Sequence, residues 1–201
     1  MIRIQGVLVS PGEGGVYGER TIGDYRVWDP YRSKCAALLL LGGEIDLTSS
    51  MRVLYLGAAN GTTVSHVADY VEVVYAVEFA PRPMQDLLEV CRRRKNIIPI
   101  MDDAGRPDHY ACMVEEVDLV YQDVAQPDQA GIALKNAIFL RPGGTLVLML
   151  KTRSVDIRQS PQDVLDRTVE VLEAGGLSVR EVRWLEPYHR DHAAIICEAL
   201  K

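Results

Sequence analysis

Beyond Ser33 the chain alternates between two hydrophobic patterns. Short runs of consecutive apolar residues, as in strands buried on both faces, are separated by longer stretches in which apolar residues recur every three or four positions. Lys34 to Leu41 reads as a helix stopped by Gly42-Gly43, Arg52 to Leu56 as a strand, Thr62 to Tyr70 as a helix and Val71 to Val77 as a strand. Pro81 opens a helix running to Arg94, and Asn96 to Ile100 is the strand after it. Val117 to Gln122 is a strand, Gln129 to Phe139 a helix, Thr145 to Leu150 a strand, and Pro161 to Ala174 a helix ended by Gly175-Gly176. Ser178 to Leu185 and Ala193 to Leu200 close the chain as two strands joined by a turn around Pro187 to Asp191. The alternation predicts an α/β fold with a mostly parallel sheet, right-handed crossovers and an antiparallel C-terminal hairpin.

The beginning of the chain reads differently. Ile2 to Val9, Val16 to Thr21 and Tyr25 to Trp28 have strand patterns, with a turn cluster at Pro11 to Gly15 and a hairpin turn at Gly23-Asp24. Residues 1–31 are therefore expected to form a small antiparallel unit, and residues 32–201 the α/β domain.

Composition narrows the class without naming a chemistry. Of 201 residues, 48% are hydrophobic and 25% charged, which excludes a disordered chain. The longest apolar runs are far too short to span a bilayer, and the N-terminal residues lack the basic and apolar regions of a signal peptide, so a cytoplasmic protein is expected. Four scattered cysteines fit neither a zinc site nor a disulfide framework and read as buried free thiols, and no metal site is expected. A net charge of −6 means that any nucleic-acid substrate must be held by a partner. Only five of the 22 basic residues are lysines.

In open α/β sheets, ligands bind beyond the carboxyl ends of the strands. After the first strand comes Gly57-Ala58-Ala59-Asn60-Gly61-Thr62-Thr63, a glycine-rich turn into a helix but not the three-glycine dinucleotide fingerprint. Glu78 ends the second strand 21 residues after Gly57, where a carboxylate can accept ribose hydroxyls, and Asp102-Asp103-Ala104 follows the third strand, where an adenine amino group can be read. The three positions together favour an adenosine-containing cofactor. Without a pyrophosphate-binding turn, S-adenosylmethionine is preferred over NAD. The fourth strand ends in Asp123-Val124-Ala125-Gln126, and Lys151 directly follows the buried run Val147 to Leu150, so both side chains leave the sheet at one edge. Lysine, unlike arginine, can give up its proton and act as a base. The plainer readings are a snorkelling surface group for Lys151, an exposed turn residue for His192, and helix caps for Asp128 and for Arg92 to Lys95.

Several strings together resemble fibrillarin, the family of RNA 2′-O-methyltransferases of box C/D guide-RNA particles. They are YGER at 17–20, DPYRSK at 29–34, VLYLGAANGTTVSHVAD at 53–69, VYAVEF at 74–79, NIIPIMDDA at 96–104, DVAQPDQA at 123–130, LK at 150–151 and EPYHRDHA at 186–193. The length, and a start without a Gly/Arg-rich region, resemble the archaeal form. Asn60 stands where the family often has Ser, and His189 precedes Arg190 where an acidic residue is common.

The resemblance implies a Rossmann-like S-adenosylmethionine-dependent methyltransferase domain over 32–201. It also implies cofactor contacts from Gly57, Ala58, Thr62, Thr63, Glu78, Phe79, Asp103, Ala104, Asp123, Val124, Ala125 and Gln126, and a catalytic set of Lys34, Asp123, Lys151 and His192. The implied partners are a Nop-domain scaffold protein, a kink-turn-binding protein resembling a ribosomal protein, a box C/D guide RNA and the rRNA or tRNA target. Two alternatives remain at this point: a non-catalytic scaffold on the same fold, and an NAD-dependent oxidoreductase, against which the incomplete glycine turn speaks.

Overall fold

In the computed structural model, residues 2–12 and 14–199 are described, so Glu13 of the turn cluster and Leu200 at the end of the last strand lie outside the described residues. The N-terminal sheet is formed by β1 (Ile2–Ile4), β2 (Val7–Pro11), β3 (Thr21–Ile22) and β4 (Tyr25–Val27), in the order β1-β2-β4-β3. Two expectations are corrected here. Ile2 to Val9 is not one strand but a hairpin, because Gln5 and Gly6 both take positive φ (52° and 77°), the backbone of a tight primed turn. Val16 to Thr21 is largely irregular, because the Glu19 carboxylate accepts the backbone N–H groups of Val16 and Tyr17 that a strand would have paired.

The main sheet comprises β5 (Arg52–Leu56), β6 (Val73–Val77), β7 (Ile97–Ile100), β8 (Val117–Gln122), β9 (Leu140–Lys151), β10 (Leu177–Trp184) and β11 (His192–Ala199). Its order is β10-β11-β9-β8-β5-β6-β7; β7 through β9 run parallel, and β11 and β10 close one edge antiparallel. One face is covered by α1 (Lys34–Leu40), α2 (Thr62–Ala68), α3 (Pro81–Arg93) and the N-terminal sheet, the other by α4 (Gln129–Asn136) and α6 (Pro161–Ala174). A short α5 (Thr152–Val155) follows β9, and two 3₁₀ turns lie between β7 and β8, in stretches without periodicity.

Local chemistry explains the boundaries. Ser33 caps α1, its hydroxyl accepting from Ala36 N, and Ser160 and Asp128 do the same for α6 and α4. Pro81 and Pro161 occupy first-turn positions where no N–H is needed. Cys35 and Cys197 are buried as expected, Cys91 is half-buried, and Cys112 is exposed.

The two sheets share one core, in which Leu8 and Trp28 pack with residues of the main sheet, and a buried polar network crosses between them. Arg26 is fully buried and donates to Ser65 O, Ser65 Oγ, Asp69 Oδ2 and the Glu19 carboxylate. Ser10 Oγ donates to Asp69 Oδ2 at 2.6 Å, so it must accept from His66 Nδ1 at 2.7 Å; His66 Nε2 then accepts from the Tyr17 hydroxyl at 2.7 Å. The ring is neutral: burial first, and then the Arg26 guanidinium, lower its pKa to about 3. Burial works against ionisation of Glu19, but the Tyr17 and Val16 N–H groups and Arg26 outweigh it and bring its pKa to about 2.

Both groups bind protons more weakly folded than unfolded, so their stabilisation is complete above pH 6.5 and is lost as the pH falls, first through His66 and then, below 4.5, through Glu19 as well. Urea unfolding at a series of pH values should show stability declining below pH 6.5 by up to about 1.4 kcal/mol per pH unit from the histidine alone. A flat profile between pH 6.5 and 4.5 would contradict the assignment.

Candidate active site

The strand order reverses between β5 and β8, and the carboxyl ends of these neighbours diverge into a cleft. One wall is the turn from β5 into α2. Gly57 has a φ of +80°, and a Cβ there would lie 2.5 Å from the carbonyl oxygen of Asp123, so only glycine allows the two strand ends to approach this closely. Gly57→Ala is expected to cost about 2–4 kcal/mol of stability, from the left-handed backbone plus the main-chain clash. It should also weaken S-adenosylmethionine binding at least ~10-fold, read by thermal melting and calorimetric titration. Unchanged affinity would detach Gly57 from the cofactor site.

Gly61, also at φ +80°, leads into α2 without a side-chain cap, so among the described residues the first N–H groups of that helix find no capping side chain at the cleft. The Thr63 hydroxyl donates to Ser33 Oγ at 3.0 Å, which joins the start of α2 to the start of α1, where Lys34 sits. At the end of β6, Glu78 is 6% exposed; its Oε2 accepts from Ala59 N and its Oε1 from Ala80 N, each at 2.8 Å, and each oxygen keeps a second lone pair. Phe79 beside it is 62% exposed.

Two adjoining cavities fill the cleft. One, of about 250 Å³, is bounded by Gly57, Glu78, Phe79, Ala104, Asp123 to Gln126 and Lys151. The other, of about 270 Å³, is bounded by Ala58, Asn60, Thr62 and Thr63, and shares Gly57, Ala59 and Asp123 with the first. Eleven of the twelve sequence-predicted cofactor residues therefore line one continuous cleft. The exception is Asp103. Its Oδ1 accepts from Gly105 N at 2.8 Å and from Gln126 Nε2 at 3.2 Å, and the Gly105 N–H holds its carboxyl below the usual range. The neighbouring Asp102 lines the cavity instead. Arg32, Tyr55, Ala59, Asn60 and Val77 are further lining residues that sequence reasoning did not single out as contacts.

Three of the four predicted catalytic positions meet at the mouth of this cleft, and the fourth, His192, stands across the strand from Lys151. Lys34 Nζ lies 2.9 Å from each Asp123 carboxylate oxygen, and Lys151 Nζ lies 3.3 Å from Oδ1. The three side chains are 14%, 16% and 22% exposed in the order Lys34, Asp123, Lys151. Burial alone would raise the Asp123 carboxyl, but the two ammonium groups prevail and hold it below its usual value, so it is ionised at neutral pH. Cys35, Tyr55 and Tyr121 lie around it, and burial keeps their protons on.

His192 is the cross-strand partner of Lys151 between β11 and β9. Its carbonyl is taken by Leu185 N, which makes this a non-hydrogen-bonded pair, the kind whose side chains stand closest. Burial, then Lys34, His189 and Lys151, depress the His192 pKa. The neutral ring donates Nδ1–H to Arg190 O at 2.6 Å, which leaves Nε2 as an acceptor. Such a group suits a hydroxyl rather than a phosphate oxygen. Beyond Lys151, a cavity of about 160 Å³ is edged by Arg153, Ser154, Arg190, Asp191 and His192.

The cleft fits S-adenosylmethionine. A ribose-type acceptor, an exposed aromatic ring, a glycine cradle, an uncapped helix start and carboxylates at Glu78, Asp102 and Asp123 match a nucleoside, a carboxylate and a sulfonium, and the residues offer no built pyrophosphate cradle.

Comparison with known proteins agrees. The fibrillarin family model matches residues 3–201. A fibrillarin-like rRNA/tRNA 2′-O-methyltransferase of Methanoculleus marisnigri is 72% identical over 191 residues, 95% of each chain. The crystal structure of a fibrillarin/Nop5p complex superimposes with a TM-score of 0.94 at 43% identity, covering 98% of this chain and 96% of that one. Aeropyrum pernix fibrillarin with natively bound S-adenosyl-L-methionine gives 0.83 at 47% identity, covering 92% and 84%. The chain belongs to the fibrillarin family.

Proposed function

We propose that this chain is an S-adenosylmethionine-dependent RNA ribose 2′-O-methyltransferase. In this reading it is the catalytic subunit of a box C/D guide ribonucleoprotein that acts on rRNA and tRNA, and residues 32–201 are its catalytic domain. The observation that carries the reading is the Lys34–Asp123–Lys151 cluster at the mouth of a nucleoside-shaped cleft. Family membership supports it, as does the likeness to a fibrillarin seen with Nop5p and to one seen with S-adenosyl-L-methionine.

Bound in the cleft, S-adenosylmethionine supplies a methyl group made transferable by its sulfonium. Glu78 would accept from the ribose hydroxyls, Phe79 and Ala104 would flank the adenine, and the start of α2 at Thr62 and Thr63 would meet the methionine carboxylate. At the target nucleotide, His192 Nε2 accepts from the sugar and orients it. Lys151, whose single contact to Asp123 leaves reach to spare, meets the 2′-hydroxyl and, once its ammonium has passed a proton to water, receives the hydroxyl proton as a neutral amine. Asp123 fixes the direction of Lys151, and Lys34 fixes Asp123. Proton removal of this kind contributes about 10²–10⁴-fold, with orientation of the two reactants adding to it.

The chain carries a net charge of −6 and so gains little from phosphate attraction, which supports dependence on a Nop-domain scaffold, a kink-turn-binding protein and a guide RNA. The test is transfer of labelled methyl to a guide-paired RNA, with and without those partners. Transfer in the complete particle, only at the guide-selected ribose, is expected. No transfer there, or transfer indifferent to the guide, would defeat the reading.

A further inference from the structure

We propose that Gln129 is a positioning residue for Lys151: its side-chain amide grips both backbone groups of that lysine and keeps the ammonium level with Asp123. The proposal rests on the role given to Lys151 above. Gln129 is the first residue of α4 and is 1% exposed. Its Oε1 accepts from Lys151 N at 3.0 Å, and its Nε2 donates to Lys151 O at 3.1 Å.

The position makes the clamp consequential. The β8–β9 ladder ends at the pair Gln122 and Leu148, so Lys151 has no strand partner on that side. On the other side, the His192 carbonyl is committed to Leu185. Immediately afterwards the chain turns into the four-residue α5, so Lys151 stands at a corner of the backbone. The carboxamide of Gln129 has the donor and acceptor of a peptide unit and takes the place of the missing strand.

The clamp is tied to Asp123 as well. Gln122, fully buried and adjacent to Asp123 in the chain, donates its Nε2 to Gln129 O at 2.7 Å. Its own Oε1 is buried without a hydrogen-bond partner among the described residues. An apolar side chain would fill that space with no orphaned oxygen; what the amide adds is the bond to Gln129. A hydrogen-bonded path through the buried Gln122 and Gln129 thus runs from the residue before Asp123 to the backbone of Lys151. Because a displacement of about 1 Å at reacting groups can cost ~10²-fold in rate, this path sets the height of Lys151.

The test uses Gln129→Leu, close in size and without either polar group, in the reconstituted particle. Single-turnover methyl transfer should fall about 100-fold. S-adenosylmethionine affinity of the purified protein should stay within about threefold of wild type. The carbon-13 titration of the Asp123 carboxyl, followed in the cofactor-free protein, should move upward as Lys151 draws away. A rate within threefold of wild type, an unmoved Asp123 titration, or a rate loss matched by an equal loss of cofactor affinity would each overturn the proposal. If Gln129→Leu does not fold, Gln129→Glu keeps the acceptor for Lys151 N and removes the donor, and the same three measurements apply. Lys151→Ala separates the two levels of argument: retained activity there defeats the reading of Lys151 itself, whereas an inactive Lys151→Ala beside an unaffected Gln129→Leu defeats only the clamp.

Discussion

Replacing Asp123 by asparagine should lower methyl transfer by the assembled particle by about three orders of magnitude. The substitution keeps the shape and removes the one charge that two ammonium groups share. With 16% of its side chain exposed, Asp123 has little water to stand in for it. Lys34 is also the first residue of α1, where the partial positive charge of the helix end already opposes a cation. Without the carboxylate, Lys34 and Lys151 repel one another, and the amide presents N–H donors to at least one of them. Both lysines then swing toward solvent, and the 2′-hydroxyl loses its proton acceptor. Cofactor affinity is expected to change far less, because the other residues bounding the cleft are untouched. Single-turnover transfer beside a binding titration tests this. Activity within about tenfold of wild type would remove Asp123 from the chemistry.

The second large effect is on stability. Arg26→Met is expected to cost about 3–5 kcal/mol, because it strips a fully buried cation from two carboxylates that cannot reach water. The Glu19 side chain is 4% exposed and that of Asp69 2%; Arg94 Nε still reaches Asp69 Oδ1 at 2.6 Å, but among the described residues Glu19 keeps only backbone donors. The damage does not stay in the N-terminal sheet. Arg26 also holds Ser65 of α2, the helix that begins with Thr62 and Thr63 at the cleft, so cofactor binding should weaken in the same variant. Urea unfolding gives the loss, and Arg92→Ala serves as a control: its partner Glu89 is 65% exposed, and such a pair contributes under about 0.5 kcal/mol. A loss below about 1 kcal/mol for Arg26→Met would mean that the two carboxylates find other partners.

What could be read from the sequence follows from how directly each feature is written in local pattern. The parallel strands were legible because double burial leaves uninterrupted apolar runs such as Val147 to Leu150. Asp123 and Lys151 were legible because each directly follows such a run, which puts it at the sheet edge. Lys34 and His192 were less so: one opens a helix and the other a strand, far apart in the chain, and it took the family resemblance to join them to Asp123 and Lys151 as one set. The choice between Asp102 and Asp103 turns on which carboxylate caps the Gly105 turn, a local contact that the pattern does not carry. The Arg26–His66–Ser10 network left no periodic signal at all, because a buried polar side chain is recognisable only by partners that arrive from elsewhere in the chain. The Gln5-Gly6 hairpin was missed for a different reason, since glutamine rarely adopts positive φ.

The direction of the last strand has a consequence for how the site is staffed. β8 and β9 arrive at the rim with their carboxyl ends, whereas β11 leaves from it with its amino end. Had β11 run the other way, Ala199 would stand beside Lys151 and the imidazole would lie about seven residues distant, at the opposite end of the strand. A single reversal of chain polarity thus brings a third titratable group to the rim as the first residue of β11, held in register with Lys151 by the same ladder that builds the sheet.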